Sequence, residues 1–327
     1  MAMKQDATVV HGGDLEAARK RFPQAPQPWL DLSTGINPIA YPVERVPADA
    51  WSRLPSRADR DALCAAAARR FGVDDPRTVV AAPGTQSLIQ LLPRLVPRSR
   101  VAVIGPTYEE HEVCWRRQGH DVTIVENFAT TGGYDVAIVV NPGNPTGRLM
   151  PATELRARQG VLVVDEAFID FVPPVASLAG NLPPNAIVLR SFGKTYGLAG
   201  LRLGFAIACR DFASRLRAEL GPWVVSGPAL SIGRAALDDV AWLRAAAVRL
   251  KEDGERLDTT LGKAGFSSLG GTPLFRLAQH EDAAGIVERL GQHGIHVRAF
   301  SRQPQWLRFG LPGSDTAFRR LAVALGI

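Results

Sequence analysis

The sequence has few lysines, few cysteines and no long apolar run. Five lysines stand against thirty-three arginines. The arginines behind the formal charge of +6 are scattered and not interleaved with aromatics, which excludes a basic stripe for nucleic acid. Cys64, Cys114 and Cys209 are far apart, sit in apolar or helical surroundings and match no metal-ligand spacing. They read as buried free thiols of a reducing compartment. Met1 to Val10 lacks an apolar core of signal-peptide length, and no run is long enough to span a bilayer. The expectation is a cytoplasmic protein without a membrane partner. Repeats and low-complexity tracts are also missing from the sequence. A length of 327 residues allows one large domain and a smaller one.

Against that scarcity Lys194 stands out, set in Ser191-Phe192-Gly193-Lys194-Thr195-Tyr196-Gly197 and followed by Arg202. Glycines let backbone come close to a ligand, and Ser191 and Arg202 offer a hydroxyl and a guanidinium for one phosphate. A primary amine beside a phosphate grip suits a Schiff-base lysine holding pyridoxal 5'-phosphate (PLP). Gly193-Lys194-Thr195 also resembles the end of a nucleotide P-loop. That loop needs a glycine five residues before Gly193, where Val188 stands, so the nucleotide reading fails.

Seven short apolar runs alternate with helical stretches: Val79–Ala82, Val101–Ile104, Val122–Val125, Val136–Val140, Val161–Asp165, Ile187–Arg190 and Phe205–Ala208. Uninterrupted apolar strands between helices predict an α/β fold, a mostly parallel seven-stranded sheet with helices on both faces. Ligands of such sheets lie at the carboxyl ends of the strands. The polar residues gather there. Gly84, Thr85 and Gln86 open a helix after the first run, where free N–H groups favour a phosphate. Tyr108 follows the second run, an aromatic ring able to stack on a planar group. Asn144 sits among Asn-Pro turns after the fourth. Asp165 closes the fifth, a buried carboxylate that is costly without a partner; a pyridinium nitrogen would be a natural one.

Residues 1–40 read as an arm in which Asp14 caps a helix over Leu15–Arg21, and His11 is open to a ligand beside Gly12-Gly13. Residues 41–225 form the expected large domain, ending in the linker Gly221–Pro228, and residues 226–327 a small α/β domain. The latter should hold helices over about Ala229–Ala264, Asp282–His293 and Ser314–Leu325. Its expected strands are Leu274–Leu277, Ile295–Arg298 and Trp306–Gly310. Arg298 and Arg308 lie on those strands, each able to bind an acidic substrate bidentately.

In this order, Gly84-Thr85-Gln86, Tyr108, Asn144-Pro145-Thr146-Gly147, Asp165-Glu166-Ala167, Ser191-Phe192-Gly193-Lys194 and Arg202 resemble the fold-type I PLP enzymes of the aminotransferase family. The arm, with His11-Gly12-Gly13-Asp14 and Asp31-Leu32-Ser33-Thr34-Gly35-Ile36-Asn37-Pro38, and the run Asp165–Phe171 are similar to the family's threonine-phosphate decarboxylase group. The resemblance implies a homodimeric lyase acting on a small phosphorylated amino acid in cobalamin biosynthesis, with histidinol-phosphate aminotransferase as the alternative and a non-catalytic PLP-binding protein behind both. It implies Lys194 as the Schiff-base amine, Asp165 at the pyridine nitrogen, Asn144 at the ring hydroxyl and Tyr108 stacked on the ring. Thr85, Gln86, Ser191 and Arg202 would hold the cofactor phosphate. Arg308 would hold the substrate carboxylate and Asn37 would also contact substrate. His11 and Arg298 would hold the substrate phosphate, with His11 supplied by the second subunit. Two positions depart from the family: Phe168 stands where relatives often have a tyrosine at the ring oxygen, and Leu54 where they have a tyrosine that reaches the partner's substrate phosphate.

Overall fold

The seven apolar runs form one sheet in the computed structural model, which describes residues 12–43 and 46–327. They are β1 (Val79–Ala82), β2 (Arg100–Ile104), β3 (Asp121–Val125), β4 (Val136–Val140), β5 (Val161–Asp165), β6 (Ala186–Ser191) and β7 (Gly204–Ile207), in the spatial order β1-β7-β6-β5-β4-β2-β3. The ladders among β3, β2, β4, β5 and β6 are parallel, while β7 runs antiparallel to both its neighbours. This exception brings Gly204, the first residue of β7, level with Ala82 and Ser191, the last residues of β1 and β6. All three therefore meet at one end of the strands.

The central strands are apolar along most of their length because side chains alternate between two cores. Val79, Ala81, Ala137, Val139, Leu162, Val164, Val188, Phe205 and Ile207 enter one core, with Leu63 of helix α1 (Arg57–Phe71). Val80, Ala82, Val136, Ile138, Val163, Ile187, Leu189 and Ala206 enter the other, with Leu88 and Leu92 of α2 (Thr85–Leu95) and Trp115 of α3 (Glu110–Arg117). The expected linker is shorter than its sequence suggests. Ser226 already caps α4 (Gly227–Asp238), whose Ala229, Leu230, Ala236 and Leu237 join the first core. The helical stretch beyond is broken at Asp239, whose side chain accepts from Trp242 N and starts α5 (Val240–Lys263).

A second, four-stranded antiparallel sheet holds β8 (Ser267–Thr272), β9 (Phe275–Gln279), β10 (Arg298–Phe300) and β11 (Gln303–Gly310) in the order β10-β11-β9-β8. Three expectations are corrected here. Ser267–Thr272 is an additional strand, Leu274–Leu277 shifts to Phe275–Gln279, and Ile295–Arg298 is divided. Its first part, Ile295 and His296, pairs in parallel with Leu30 and Asp31 of the arm; Arg298 begins β10 instead. Leu32 O also accepts from Gly310 N of β11 at 2.7 Å, so the arm is tied by backbone to the second sheet. Asp14 caps the helix Leu15–Arg21 as expected, accepting from Ala17 N at 3.0 Å.

Beneath the strand ends lies a buried ionic cluster. Arg190 on β6 contacts Glu166 at 3.4 Å and makes a short contact to Asp170, which Arg70 also approaches at 3.3 Å. Arg190, Glu166 and Asp170 are all buried at the side chain. Burial pushes the Glu166 carboxyl up, against the pull of Arg190. Removing one partner of such a cluster leaves an uncompensated buried charge. Arg190→Leu should therefore cost about 3–5 kcal/mol of stability, read as a lower urea midpoint with an unchanged slope.

Candidate active site

A cavity of about 600 Å³ opens over the carboxyl ends of the parallel strands. Gly84, Thr85, Gln86, Tyr108, Asn144, Asp165, Ser191, Lys194, Arg202, Arg298 and Arg308 all line it. They come from eight stretches far apart in the chain, brought together because each follows or lies on a strand. His11 falls outside the described residues, although its neighbour Gly12 reaches the cavity.

At the floor, Asp165 ends β5 and is buried. Its Oδ1 accepts from Ala167 N at 3.0 Å, and its Oδ2 lies 3.1 Å from His111 Nε2. Burial pushes this carboxyl up, but the His111 bond, the Lys194 charge and the Ala167 N–H outweigh it and hold it below the ordinary aspartate range. His111 was not foreseen. It is buried on α3, and its only sequence signal is its place three residues after Tyr108, which lies in the turn just before that helix. The two rings meet edge to face, with centroids 6.2 Å apart.

Lys194 lies on the single helical turn Phe192–Thr195 that follows β6. Its Nζ sits 4.7 Å from the centre of the Phe168 ring, and among the described residues it has no ion pair within 4 Å. Burial first, and then the neighbouring charges of Arg308 and Arg202, lower its proton affinity; Asp165 opposes them. The result is an amine that gives up its proton more readily than a surface lysine does, as a nucleophilic amine requires.

The first turn of α2 has no side-chain cap, so its leading N–H groups face the cavity unclaimed by a side chain. Gly84 precedes it at φ +82°, and a Cβ there would stand 2.8 Å from Arg202 Nη2. Likewise a Cβ on Gly204 would stand 2.7 Å from Thr85 N. Glycine at both places keeps a cradle open between a helix N-terminus, a guanidinium and the end of β6, where Ser191 stands. Gln86 spends its side chain elsewhere, donating to Glu110 at 2.8 Å and accepting from Tyr108 Oη at 3.1 Å.

Opposite this cradle, Arg308 of β11 is buried and donates to Asn144 Oδ1 and to the Ser33 carbonyl. Burial and the nearby Arg298 push its pKa down to about 10. Arg298 faces Arg308 directly across the β10–β11 ladder. The loop that carries Asn144 is seated by a close backbone approach: Gly147, at φ +70°, lies where a Cβ would come within 2.0 Å of Gly271 O. Leu54, at the position where relatives have a tyrosine that reaches the partner, is 68% exposed on the outer surface. One sequence expectation lands away from the cavity. Asn37 is buried and does not line the cavity; its amide donates to Thr195 O at 3.0 Å and accepts from Ile39 N at 3.1 Å.

This layout can be set beside known proteins. A profile of the family "Aminotransferase class I and II" matches residues 48–325. The chain belongs to the aminotransferase class I and II family. Among curated members it is 44% identical to a threonine-phosphate decarboxylase of Sinorhizobium sp., over 98% of both chains. It is 40% identical to a threonine-phosphate decarboxylase of Pseudomonas aeruginosa, over 96% of each. The histidinol-phosphate aminotransferase of Sinorhizobium meliloti, solved in complex with pyridoxal-5'-phosphate, shares the fold at a TM-score of 0.82 and 22% identity, over 99% of this chain and 97% of that one.

As a member of this family the chain has residues that fit PLP. The open helix start and the Gly84–Arg202 cradle suit its phosphate, the anionic Asp165 suits a protonated ring nitrogen, and the readily deprotonated Lys194 suits its aldehyde. Phe168 lines the cavity without a hydroxyl, and Asn144 lines it as well. Because His111 helps hold Asp165 ionised, His111→Phe should let that carboxyl keep its proton to a higher pH. The acidic limb of the kcat–pH profile should then move up; an unmoved limb would show that the bond at Oδ2 has no electrostatic role.

Proposed function

We propose that the chain is a PLP-dependent decarboxylase of O-phospho-L-threonine, producing (R)-1-amino-2-propanol O-2-phosphate for cobalamin biosynthesis. The observation that carries this reading is the directly opposed pair Arg298 and Arg308. Like charges facing each other across a ladder destabilise a sheet, and burial lowers the proton affinity of both. A ligand with two separate anions, a carboxylate and a phosphate, relieves that cost. Histidinol phosphate carries a phosphate and no carboxylate. The two relatives at 40% identity or more point the same way.

When bound, PLP supplies an electrophilic carbonyl for the substrate amine and a π system that accepts the electron pair left by carbon dioxide. The chain does the rest. Thr85, Gln86, Ser191 and Arg202 anchor the phosphate end, and Tyr108 packs against the ring. Asp165 keeps the ring nitrogen protonated, and its own bonds to His111 and Ala167 keep it ionised. Arg308 grips the substrate carboxylate while Arg298 takes its phosphate, which fixes rotation about Cα and so selects the bond that breaks. Lys194 Nζ then delivers a proton to Cα, which retains the amine on the product.

Homodimeric assembly and a cytoplasmic location complete the proposal, with His11 serving the substrate phosphate from the second subunit. Among the described residues no helix is long and apolar enough to cross a membrane. Purified protein loaded with PLP should release carbon dioxide from phosphothreonine with no keto acid present. Turnover that depends on a keto acid would make it an aminotransferase instead. Arg298→Ala should raise KM for phosphothreonine about 30-fold or more, in line with the loss of about 2 kcal/mol or more when one partner of a buried charge pair is truncated. Saturation kinetics check this.

A further inference from the structure

The turn that carries Lys194 cannot hold its own shape. Phe192–Thr195 is one helical turn, and a single turn fixes several dihedrals for one hydrogen bond, so it is unstable by itself. Its own contribution is the bond from Tyr196 N to Phe192 O at 3.1 Å. Other segments supply the remainder. The carbonyls of Lys194, Thr195 and Tyr196 each accept a hydrogen bond from the arm: Asn37 N at 2.9 Å, Asn37 Nδ2 at 3.0 Å and Tyr41 N at 2.8 Å. On the other side, Thr195 Oγ1 donates to Asp170 Oδ2 at 2.6 Å, and Asp170 is fixed in the buried arginine cluster with Arg70 and Arg190. Gly197 makes the crossing possible, since a Cβ there would stand 2.7 Å from Ala40 Cα.

We infer that Asn37 and Thr195 are positioning residues that clamp the Lys194 turn from opposite sides, Asn37 through the Thr195 carbonyl and Thr195 through Asp170. The role replaces the substrate contact expected of Asn37. It explains why a buried amide is spent on a backbone carbonyl next to the amine, and why an arm segment runs over the site. Neither side chain lines the cavity. Each limits the arc through which Nζ swings, and misplacement of a reacting group by about 1 Å costs about 100-fold in rate.

This inference rests on the assignment of Lys194 as the PLP-bearing amine, so its test includes a measurement without substrate. In PLP-loaded wild type the near-visible circular dichroism should be strong, because a fixed amine holds the ring in one orientation. Asn37→Ala and Thr195→Val should each lower that signal by about half or more and reduce kcat about 10–100-fold, with KM for phosphothreonine within about threefold. Thr195→Ser, which keeps the hydroxyl, should restore both readings. An unchanged dichroism with kcat within about twofold, whatever the melting temperature, would reduce the clamp to ordinary structure and overturn the inference. So would an Asn37→Ala protein in which KM rises and kcat is kept, which would return Asn37 to the substrate. A wild type that shows a band yet releases no carbon dioxide would sink the proposed function and leave the dichroism comparison to decide the clamp. A wild type without any band would overturn both.

Discussion

Lys194→Ala should reduce decarboxylation of phosphothreonine about 10⁴-fold, the upper range for losing a positioned proton-transfer group, with the loss of the covalent amine added to it. The near-visible band of the PLP-loaded protein should disappear or shift, while the melting temperature stays close to that of wild type. The last point follows from the surroundings. Nζ has no ion pair among the described residues, and its partly desolvated charge is opposed by Arg308 and Arg202. Replacing it removes a repulsion and leaves no buried acid newly stranded, because Asp165 retains His111 and Ala167. A variant with near-normal turnover would show that another amine does this work.

Asp165→Asn should be the next most damaging change, lowering kcat about 10²–10³-fold as expected for loss of a pre-oriented electrostatic contact. Asparagine keeps the shape and the acceptor for Ala167 N but removes the charge that holds a proton on the ring nitrogen. PLP affinity should fall less than kcat, since the phosphate cradle at Gly84 and Arg202 is untouched; equilibrium dialysis and steady-state kinetics on one preparation separate the two. The carboxyl is held below its ordinary range in the folded protein, so wild type gains stability from it at neutral pH and loses that gain on acidification. In Asp165→Asn this acid-dependent part of the stability curve should flatten.

Much of the site was legible because the strands are buried on both faces. Continuous runs such as Val136–Val140 and residues 161–164 have nothing but apolar positions, so their ends, where polar residues such as Asn141 and Asp165 begin, are sharp. The orientation of Gly204–Ile207 was not legible, because an antiparallel strand buried on both faces reads like a parallel one. Ser267–Thr272 escaped for the opposite reason: it is a half-exposed strand of serine and glycine with no apolar alternation. Ile295–Arg298 reads as one strand because its apolar and polar residues alternate without a break, but Leu30 and Asp31 claim its first half from the far end of the chain. His111 and Asn37 show the same limit at the level of single side chains. Neither role can be read from local sequence, because their partners, Asp165 Oδ2 and the Thr195 carbonyl, lie 54 and 158 residues away.

The most direct measurement is a reaction of PLP-loaded protein with phosphothreonine in deuterium oxide, without any keto acid, followed by mass spectrometry of the product. Amine retained, carboxyl group gone and one deuteron on the carbon that carried it is the predicted outcome, since Lys194 delivers a solvent-exchanged proton to Cα. A product that has lost its nitrogen and kept its carboxylate would contradict the account at its centre.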